Sequence, residues 1–301
     1  MYTVQVLLST YNGEAYLISQ LNSILNQKDV NIKLLIRDDG STDETPTILR
    51  EYAKEHENVS YICGKNHGVT ASFFRLFELT DDSCDYYAFA DQDDVWDEDK
   101  LITACSKLAE TDNTLPALYC CESIITDIDL NPINNNEVRK ALTPDFKNAL
   151  IENIARGGSI VINKVLLTSV QIPMPSGIYM HDWWLYLVAS CFGNVIYDST
   201  PHYKYRQHDN NVLGAASSSL VSRYRRRIRQ SKENGGHILM QAKAFARTYK
   251  LPEEKQESLD IILNYRNSTK HRLKGIFGKY LFRQSKSDNF VFHLLFFTNH
   301  I

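Results

Sequence analysis

Three carboxylates, Asp91, Asp93 and Asp94, fall within four positions directly after the apolar, aromatic run Tyr86–Ala90. That run is short enough for a buried strand. A strand continued through Asp91 and Asp93 would set both side chains, at i and i+2, on one face of its C-terminal end. Two hard oxygen ligands there suit Mg²⁺ or Mn²⁺, with water and phosphate oxygens completing the shell. The same residues also suit an acidic turn in which Asp94 or Asp97 caps a helix beginning near Asp97.

The elements that would position these groups read as strand, loop, helix, three times over. Val4–Ser9 is a buried strand and Thr10-Tyr11-Asn12-Gly13 a turn. Glu14–Asn26 carries Leu17, Leu21, Ile24 and Leu25 at the spacing of an amphipathic helix. Ile32–Ile36 ends in Arg37-Asp38-Asp39-Gly40-Ser41-Thr42-Asp43, before a helix from Thr45 to Lys54 with Pro46 in its first turn. Val59–Cys63, Gly64–Gly68 and Val69–Leu79 repeat the unit. The pattern predicts an α/β fold with a mostly parallel sheet, and in such sheets ligands gather at the carboxyl ends of strands, where Asn12, Asp39 and Asp91 all fall. Further on, Lys100–Glu110 and Phe146–Ile154 read as helices, Ala117–Ile125 and Ser159–Asn163 as strands, and Gly157-Gly158 as a tight turn. A helix follows His181-Asp182 and runs to Phe192. Asn194–Tyr197 and Tyr203–Arg206 are short strand-like pieces.

At 301 residues and 43% hydrophobic, the chain can bury a large core. A net charge of −3 argues against nucleic acid as a partner, but the charge is uneven. From Ala216 onward there are 17 Lys/Arg against 6 Asp/Glu; before it, 16 against 30. Gly214–Leu220 reads as a linker into basic helices at Val221–Gln230, Ile238–Tyr249, Glu253–Tyr265 and Arg272–Phe297. The six cysteines lack any metal-binding spacing and read as reduced core residues of a cytoplasmic protein. Val4–Leu8 lacks the basic lead and length of a signal peptide, and Phe290–Phe297 is too short to span a bilayer.

Five motifs occur in order: Ser9-Thr10-Tyr11-Asn12-Gly13, Arg37–Asp43, Asp91-Gln92-Asp93-Asp94-Val95-Trp96, His181-Asp182-Trp183-Trp184 and Tyr205-Arg206-Gln207-His208. The series resembles the inverting glycosyltransferases of family two with the GT-A fold, within them the rhamnosyltransferase-like branch of bacterial surface-polysaccharide enzymes. It covers about the first 215 residues, giving a GT-A domain over 1–215 and a helical extension over 216–301.

The resemblance implies Mn²⁺ or Mg²⁺ held by Asp93 and His208, whose other reading is a surface-loop histidine. It places Thr10, Tyr11, Asn12, Asp39, Gly68, Asp91 and Gln92 at the nucleotide, with Asp39 reading the pyrimidine. Gly68 equally suits a plain helix-entry turn, and Asp38 a turn role. Asp182 would be the general base; an N-cap is its alternative. Gly157, Gly158, His181, Trp183, Trp184 and Arg206 would face donor or acceptor sugar, although Gly157-Gly158 also suits a structural turn and aromatic pairs usually pack in cores. The implied partners are a nucleotide-diphospho-sugar, dTDP-rhamnose or a UDP-hexose, and a glycan or lipid-linked glycan acceptor. The basic, aromatic tail, including Arg223–Arg229, suits peripheral binding to the anionic inner face of the plasma membrane, a homodimer interface or simply a solvated helix. A nucleotidyltransferase and a non-catalytic assembly subunit are the competing functions.

Overall fold

The structure, a computed structural model, describes residues 1–133, 142–208 and 236–301. Its first half alternates β1 (Tyr2–Thr10), α1 (Leu17–Leu25), β2 (Val30–Asp38), α2 (Thr45–Glu55), β3 (Val59–Cys63), α3 (Val69–Phe77) and β4 (Tyr86–Ala90). The short β5 (Val95–Trp96), α4 (Lys100–Ala109), β6 (Ala117–Thr126) and α5 (Phe146–Ala149) follow. A 3₁₀ turn at Gly157–Ser159 then leads into β7 (Val161–Asn163), α6 (Lys164–Val170), α7 (His181–Phe192) and β8 (Asn194–Arg206). Four more helices complete the described chain: α8 (His237–Thr248), α9 (Glu253–Asn264), α10 (Thr269–Phe277) and α11 (Lys286–Phe297).

The strands form one sheet in the order β3-β2-β1-β4-β7-β6-β8-β5. β1 to β4 pair in parallel, as expected. The rest is mixed, because β7 runs antiparallel to both β4 and β6, and β5 antiparallel to β8. β1 lies between β2 and β4, so the loops leaving β1 in one direction and β4 in the other diverge at their carboxyl ends, the crevice where open α/β sheets bind ligands.

Alternation along β4 explains its all-apolar sequence. Tyr86, Ala88 and Ala90 join one core with α1 and α4, while Tyr87 and Phe89 join a second core on the opposite face with α3, α6 and α7. Each fully buried aromatic side chain there contributes roughly 1.5–3 kcal/mol of transfer free energy. The strand ends at Ala90, so Asp91–Asp94 form a bend rather than a continuing strand, and the expected i, i+2 pairing on a strand face gives way to a turn that gathers the carboxylates. The capping alternative fails too: α4 starts at Lys100, and its N-cap Asp99 makes no side-chain cap bond.

The C-terminal helices are not set apart from the α/β body. Ile238, Leu239, Ala242 and Phe245 of α8 and Leu259, Ile261 and Ile262 of α9 belong to the same core as α7. The expected helix Arg272–Phe297 is broken into α10 and α11 beyond Gly278, with Ser285 capping α11 through the Asp288 N–H. The linker at Gly214–Leu220, the helix at Val221–Gln230 and the Arg223–Arg229 cluster lie outside the described residues. No helix of the described chain is long and apolar enough to cross a membrane. All six cysteines are free; five are buried and Cys63 is exposed.

Candidate active site

The β1–α1 and β2–α2 loops are laced together at the carboxyl edge. Asn12, at φ 49°, takes the left-handed conformation that an Asn tolerates well. Its N–H donates to Ser41 Oγ (2.8 Å) and its Oδ1 accepts from the Thr42 N–H (2.9 Å). Asp39 N–H donates to the Thr10 carbonyl at 2.8 Å. Asp38 serves the turn alone, accepting from Ser41.

Asp39 is 3% exposed and pairs with the equally buried Arg37 guanidinium. Its carboxylate also accepts from the backbone N–H of His67 (3.0 Å) and Gly68 (2.8 Å). A carboxylate has about four acceptor sites, so one direction is left for a further donor. Gly68 sits at φ +84°, which brings its N–H onto Asp39 at the entrance to α3. The Arg37 partnership escaped the motif-level reading, although Arg37 and Asp39 at i and i+2 was its signal.

Gln92 turns out to be a clamp. Its Oε1 accepts from Thr10 Oγ1 (2.7 Å) and Tyr11 N–H (2.8 Å), and its Nε2 donates to the Tyr11 carbonyl (3.1 Å). The amide is therefore spent on tying the acidic bend to the β1 loop, and it fixes Asp91–Asp94 beside the β1–α1 loop.

The carboxylates converge on the Gly157-Gly158 turn. A Cβ on Gly157 would lie 3.6 Å from Asp91 Oδ2, and one on Gly158 would lie 2.6 Å from Asp94 Oδ2. Burial first, then the charges of Asp93 and Asp182, push the Asp91 carboxyl up to about 7 against a pull from the Gly158 N–H. Burial pushes Asp182 up to about 6, restrained by the N–H groups of Trp183 and Gly157 and by the Asn153 side chain. Asp94 is driven well above the ordinary range by burial and then by Asp91 and Asp93. Its Oδ1 accepts weakly from the Arg206 N–H (3.4 Å), and its buried Oδ2 has no partner. Lys100, fully buried over the Trp96 ring at 3.5 Å, is the cation on the far side of Asp94.

Asp182 lies in the first turn of α7, where the helix dipole favours a carboxylate, and its Oδ1 accepts from Trp183 N–H at 2.6 Å. The N-cap position belongs to Met180, so capping is not its role. The neighbours depart from expectation. Trp184 is fully buried against Phe245 and Tyr249, which rules out a sugar contact and makes it core. Trp183 is 6% exposed and commits its Nε1–H to the Ala149 carbonyl (2.6 Å). His181 is 2% exposed, stacked on Phe73 at 3.8 Å, behind Gly157 rather than in the open.

β8 delivers the last pieces. Arg206 Nε donates to the Asp93 carbonyl (2.9 Å) and its Nη1 to the Ile128 carbonyl, so this arginine braces the bend from behind. Two residues later His208 Nε2 comes to 2.7 Å from Asp93 Oδ2. Among the described residues no group of three or more Asp, Glu, His or Cys side chains encloses a metal by itself. The Asp93–His208 pair, the crowded carboxylates and the orphaned Asp94 Oδ2 have the chemistry to suit a divalent cation whose remaining ligands would come from phosphate and water.

The family described as Glycosyl transferase family 2 matches residues 5–167, more than half of the chain, from within β1 through β7 and into α6. The chain is a family 2 glycosyltransferase. It is 33% identical over 231 residues to the dTDP-rhamnosyl transferase RfbG of Shigella flexneri, covering 73% of this chain and 77% of that protein. It is 26% identical over 227 residues to the Escherichia coli UDP-Glc:alpha-D-GlcNAc-diphosphoundecaprenol beta-1,3-glucosyltransferase WfgD, covering 74% and 77%. The transferase shares its GT-A fold with S. aureus TarS 1-349 in complex with UDP-GlcNAc (TM-score 0.56, 16% identity, 99% of this chain and 92% of that one). A second likeness is the mannosyltransferase PcManGT of Pyrobaculum calidifontis in complex with GDP-Man and Mn²⁺ (TM-score 0.54, 17% identity, 87% and 69%).

Proposed function

We propose that the transferase moves a sugar, L-rhamnose or a hexose, from a pyrimidine nucleotide-diphosphate donor to a glycan or lipid-linked glycan acceptor in bacterial surface-polysaccharide synthesis, with inversion at the anomeric carbon. The observation that carries this reading is the convergence of Asp91, Asp94 and Asp182 on one glycine turn, one clamp away from Asp39 and one contact away from His208. Similarity to a dTDP-rhamnosyl and a UDP-glucosyl transferase supports the donor class.

In this mechanism Asp39 uses its remaining acceptor direction for a pyrimidine ring N–H, and Thr10, Tyr11 and Asn12 line the nucleoside. Asp91 borders the ribose or the cation shell. Gly157 and Gly158, having no side chains, let the turn close onto Asp91 and Asp94 at the border of the donor-sugar site. Asp182 takes the proton of the acceptor hydroxyl; the acceptor oxygen bonds to the anomeric carbon as the bond to the diphosphate breaks, and the electron pair leaves with the nucleoside diphosphate. Asp93 and His208 would hold Mn²⁺ or Mg²⁺, which supplies positive charge for the departing phosphates. Arg206 keeps the bend in place and does not need to touch sugar.

Leu273 and Phe277 on α10 and Phe290, Leu294 and Phe297 on α11 are exposed, as are Lys270, Lys279 and Lys286 in the same stretch of chain. Exposed apolar and lysine residues together suit peripheral attachment to an anionic membrane, where a lipid-linked acceptor would sit. The deciding experiment supplies dTDP-rhamnose, UDP-glucose and UDP-GlcNAc with lipid-linked acceptors and follows glycan product. Product with one donor, lost in Asp182→Asn, is expected. Nucleotide-sugar formation from NTP and sugar phosphate would instead make the protein a nucleotidyltransferase, and no turnover with any donor would favour an assembly subunit.

A further inference from the structure

Tyr16 occupies a place that no motif predicts. It stands at the end of the β1–α1 turn, its N–H bonded to the Gly13 carbonyl at 3.0 Å, immediately before Leu17 opens α1. Its ring centroid is 5.0 Å from that of His208, tilted by 31°, and the Arg206 guanidinium lies 4.7 Å over the same ring. β1 and β8 are separated in the sheet by β4, β7 and β6, so no backbone ladder joins them. One half-buried aromatic side chain therefore makes ring contacts from the nucleotide-side turn to both functional residues at the end of β8.

The turn that carries Tyr16 is itself anchored: Gly13 N–H donates to Thr45 Oγ1 (2.8 Å) and Glu14 N–H to Asp43 Oδ2 (3.1 Å). His208 follows the last residue of β8, with its Nε2 2.7 Å from Asp93 Oδ2. Tyr16 gives its imidazole a wall by offset aromatic packing, and the cation–π contact holds Arg206, which in turn grips the Asp93 carbonyl.

We propose that Tyr16 is a positioning residue that seats His208 beside Asp93, so that nucleotide binding at the β1–α1 turn and cation capture at the end of β8 reinforce each other. This rests on the proposed ligand role of Asp93 and His208, and goes beyond it by naming the residue that couples the two halves of the site.

The test titrates the full chain with Mn²⁺ followed by electron paramagnetic resonance, with and without dTDP or UDP, for wild type, Tyr16→Phe, Tyr16→Leu and His208→Ala. Tyr16→Phe keeps the ring and should match wild type within about twofold. Tyr16→Leu should weaken Mn²⁺ binding roughly three- to tenfold, the scale of one aromatic pair, and lower the ratio of Mn²⁺ affinities with and without nucleotide below that of wild type, the coupling carried by the diphosphate itself remaining. Wild-type Mn²⁺ affinity and nucleotide coupling in Tyr16→Leu, alongside weakened binding in His208→Ala, would overturn the Tyr16 role and leave the ligand pair standing. Unchanged binding in His208→Ala would overturn the ligand pair itself, and the coupling with it. Should Tyr16→Leu not fold, the His208 ring protons of the wild-type protein, assigned by their loss in His208→Ala, decide: an upfield ring-current shift supports the stacking, and its absence refutes it.

Discussion

The Asp93 carboxylate and the His208 imidazole meet at 2.7 Å across 115 positions of sequence. Neither is anchored to the other by a shared element: one leaves β4, the other leaves β8. A contact assembled from such distant segments is sensitive to whatever lies between them, and the occupant proposed above is a cation with a diphosphate.

Mn²⁺ with dTDP or UDP should therefore raise the melting temperature, because ligands that bind only the folded state stabilise it by mass action. A differential scanning measurement should show that Asp93→Ala and His208→Ala each lose most of the Mn²⁺-dependent increment while keeping the fold. An increment as large as wild type in both variants would remove the cation from this pair.

As the proposed base, Asp182 would link rate to pH. A base must be ionised to accept a proton, and burial holds this carboxyl up at about 6. Initial rates should then fall roughly tenfold per pH unit well below about 6 and level off above it. Asp182→Asn should lose at least about 10²-fold in kcat with nucleotide affinity intact. The stability effect has the opposite sign. A folded-state value above the ordinary one of 3.8 means that the charged form is disfavoured in the native protein. Asp182 thus destabilises the fold above about pH 6, and Asp182→Asn should melt higher than wild type at pH 8, with the gain vanishing near pH 3.

Arg37 and Asp39 are both buried and paired. Removing the guanidinium by Arg37→Met leaves a buried carboxylate without its charge partner, which typically costs about 3–5 kcal/mol. Urea unfolding should read that loss, and isothermal titration should show weakened dTDP or UDP binding as Asp39 shifts. Wild-type affinity in a folded Arg37→Met would dissociate Asp39 from the base.

Gly158→Ala would put a methyl 2.6 Å from Asp94 Oδ2. Asp94 is enclosed, so the turn and the carboxylates must move apart, and a displacement of about 1 Å at a reacting centre can cost about 10²-fold in rate. Steady-state kinetics should show that loss chiefly in kcat.

Flotation with vesicles tests the tail. Vesicles containing anionic lipid should carry the transferase and neutral ones should not, and Phe290→Glu with Phe297→Glu should abolish the difference. A dimer by light scattering, broken by the same changes, would assign the patch to a second copy instead.

Much of this site could be read in the chain because its chemistry sits at strand ends. Val6–Leu8, Leu34–Ile36 and Tyr86–Ala90 are continuous apolar runs since both faces of their strands are buried, and each is followed at once by polar residues at the carboxyl end. The second half was harder. β8 read as two pieces because Asp198-Ser199-Thr200-Pro201 looks like a turn, whereas the ladder with β6 runs past it through register shifts near Cys121 and Glu122. Trp183 and Trp184 sat beside the base in sequence, but successive residues of a helix point in different directions, and this helix is buried on all sides. Gln92, Asn153 and Tyr16 act through side chains whose partners lie far away in sequence or in loops without periodicity, and hydrophobic patterning says nothing about them.

Trp184 packs between the catalytic layer and α8, with Phe245 and Tyr249 as its wall. Stopping the polypeptide ahead of α8 would bare this indole and the apolar seam around it, leaving a sticky fragment instead of a minimal enzyme. Chimeras meant to exchange acceptor preference with a relative should therefore carry α8 through α11 with the α/β body, because Val291, Phe292, Leu295 and Phe296 of α11 fill the same core.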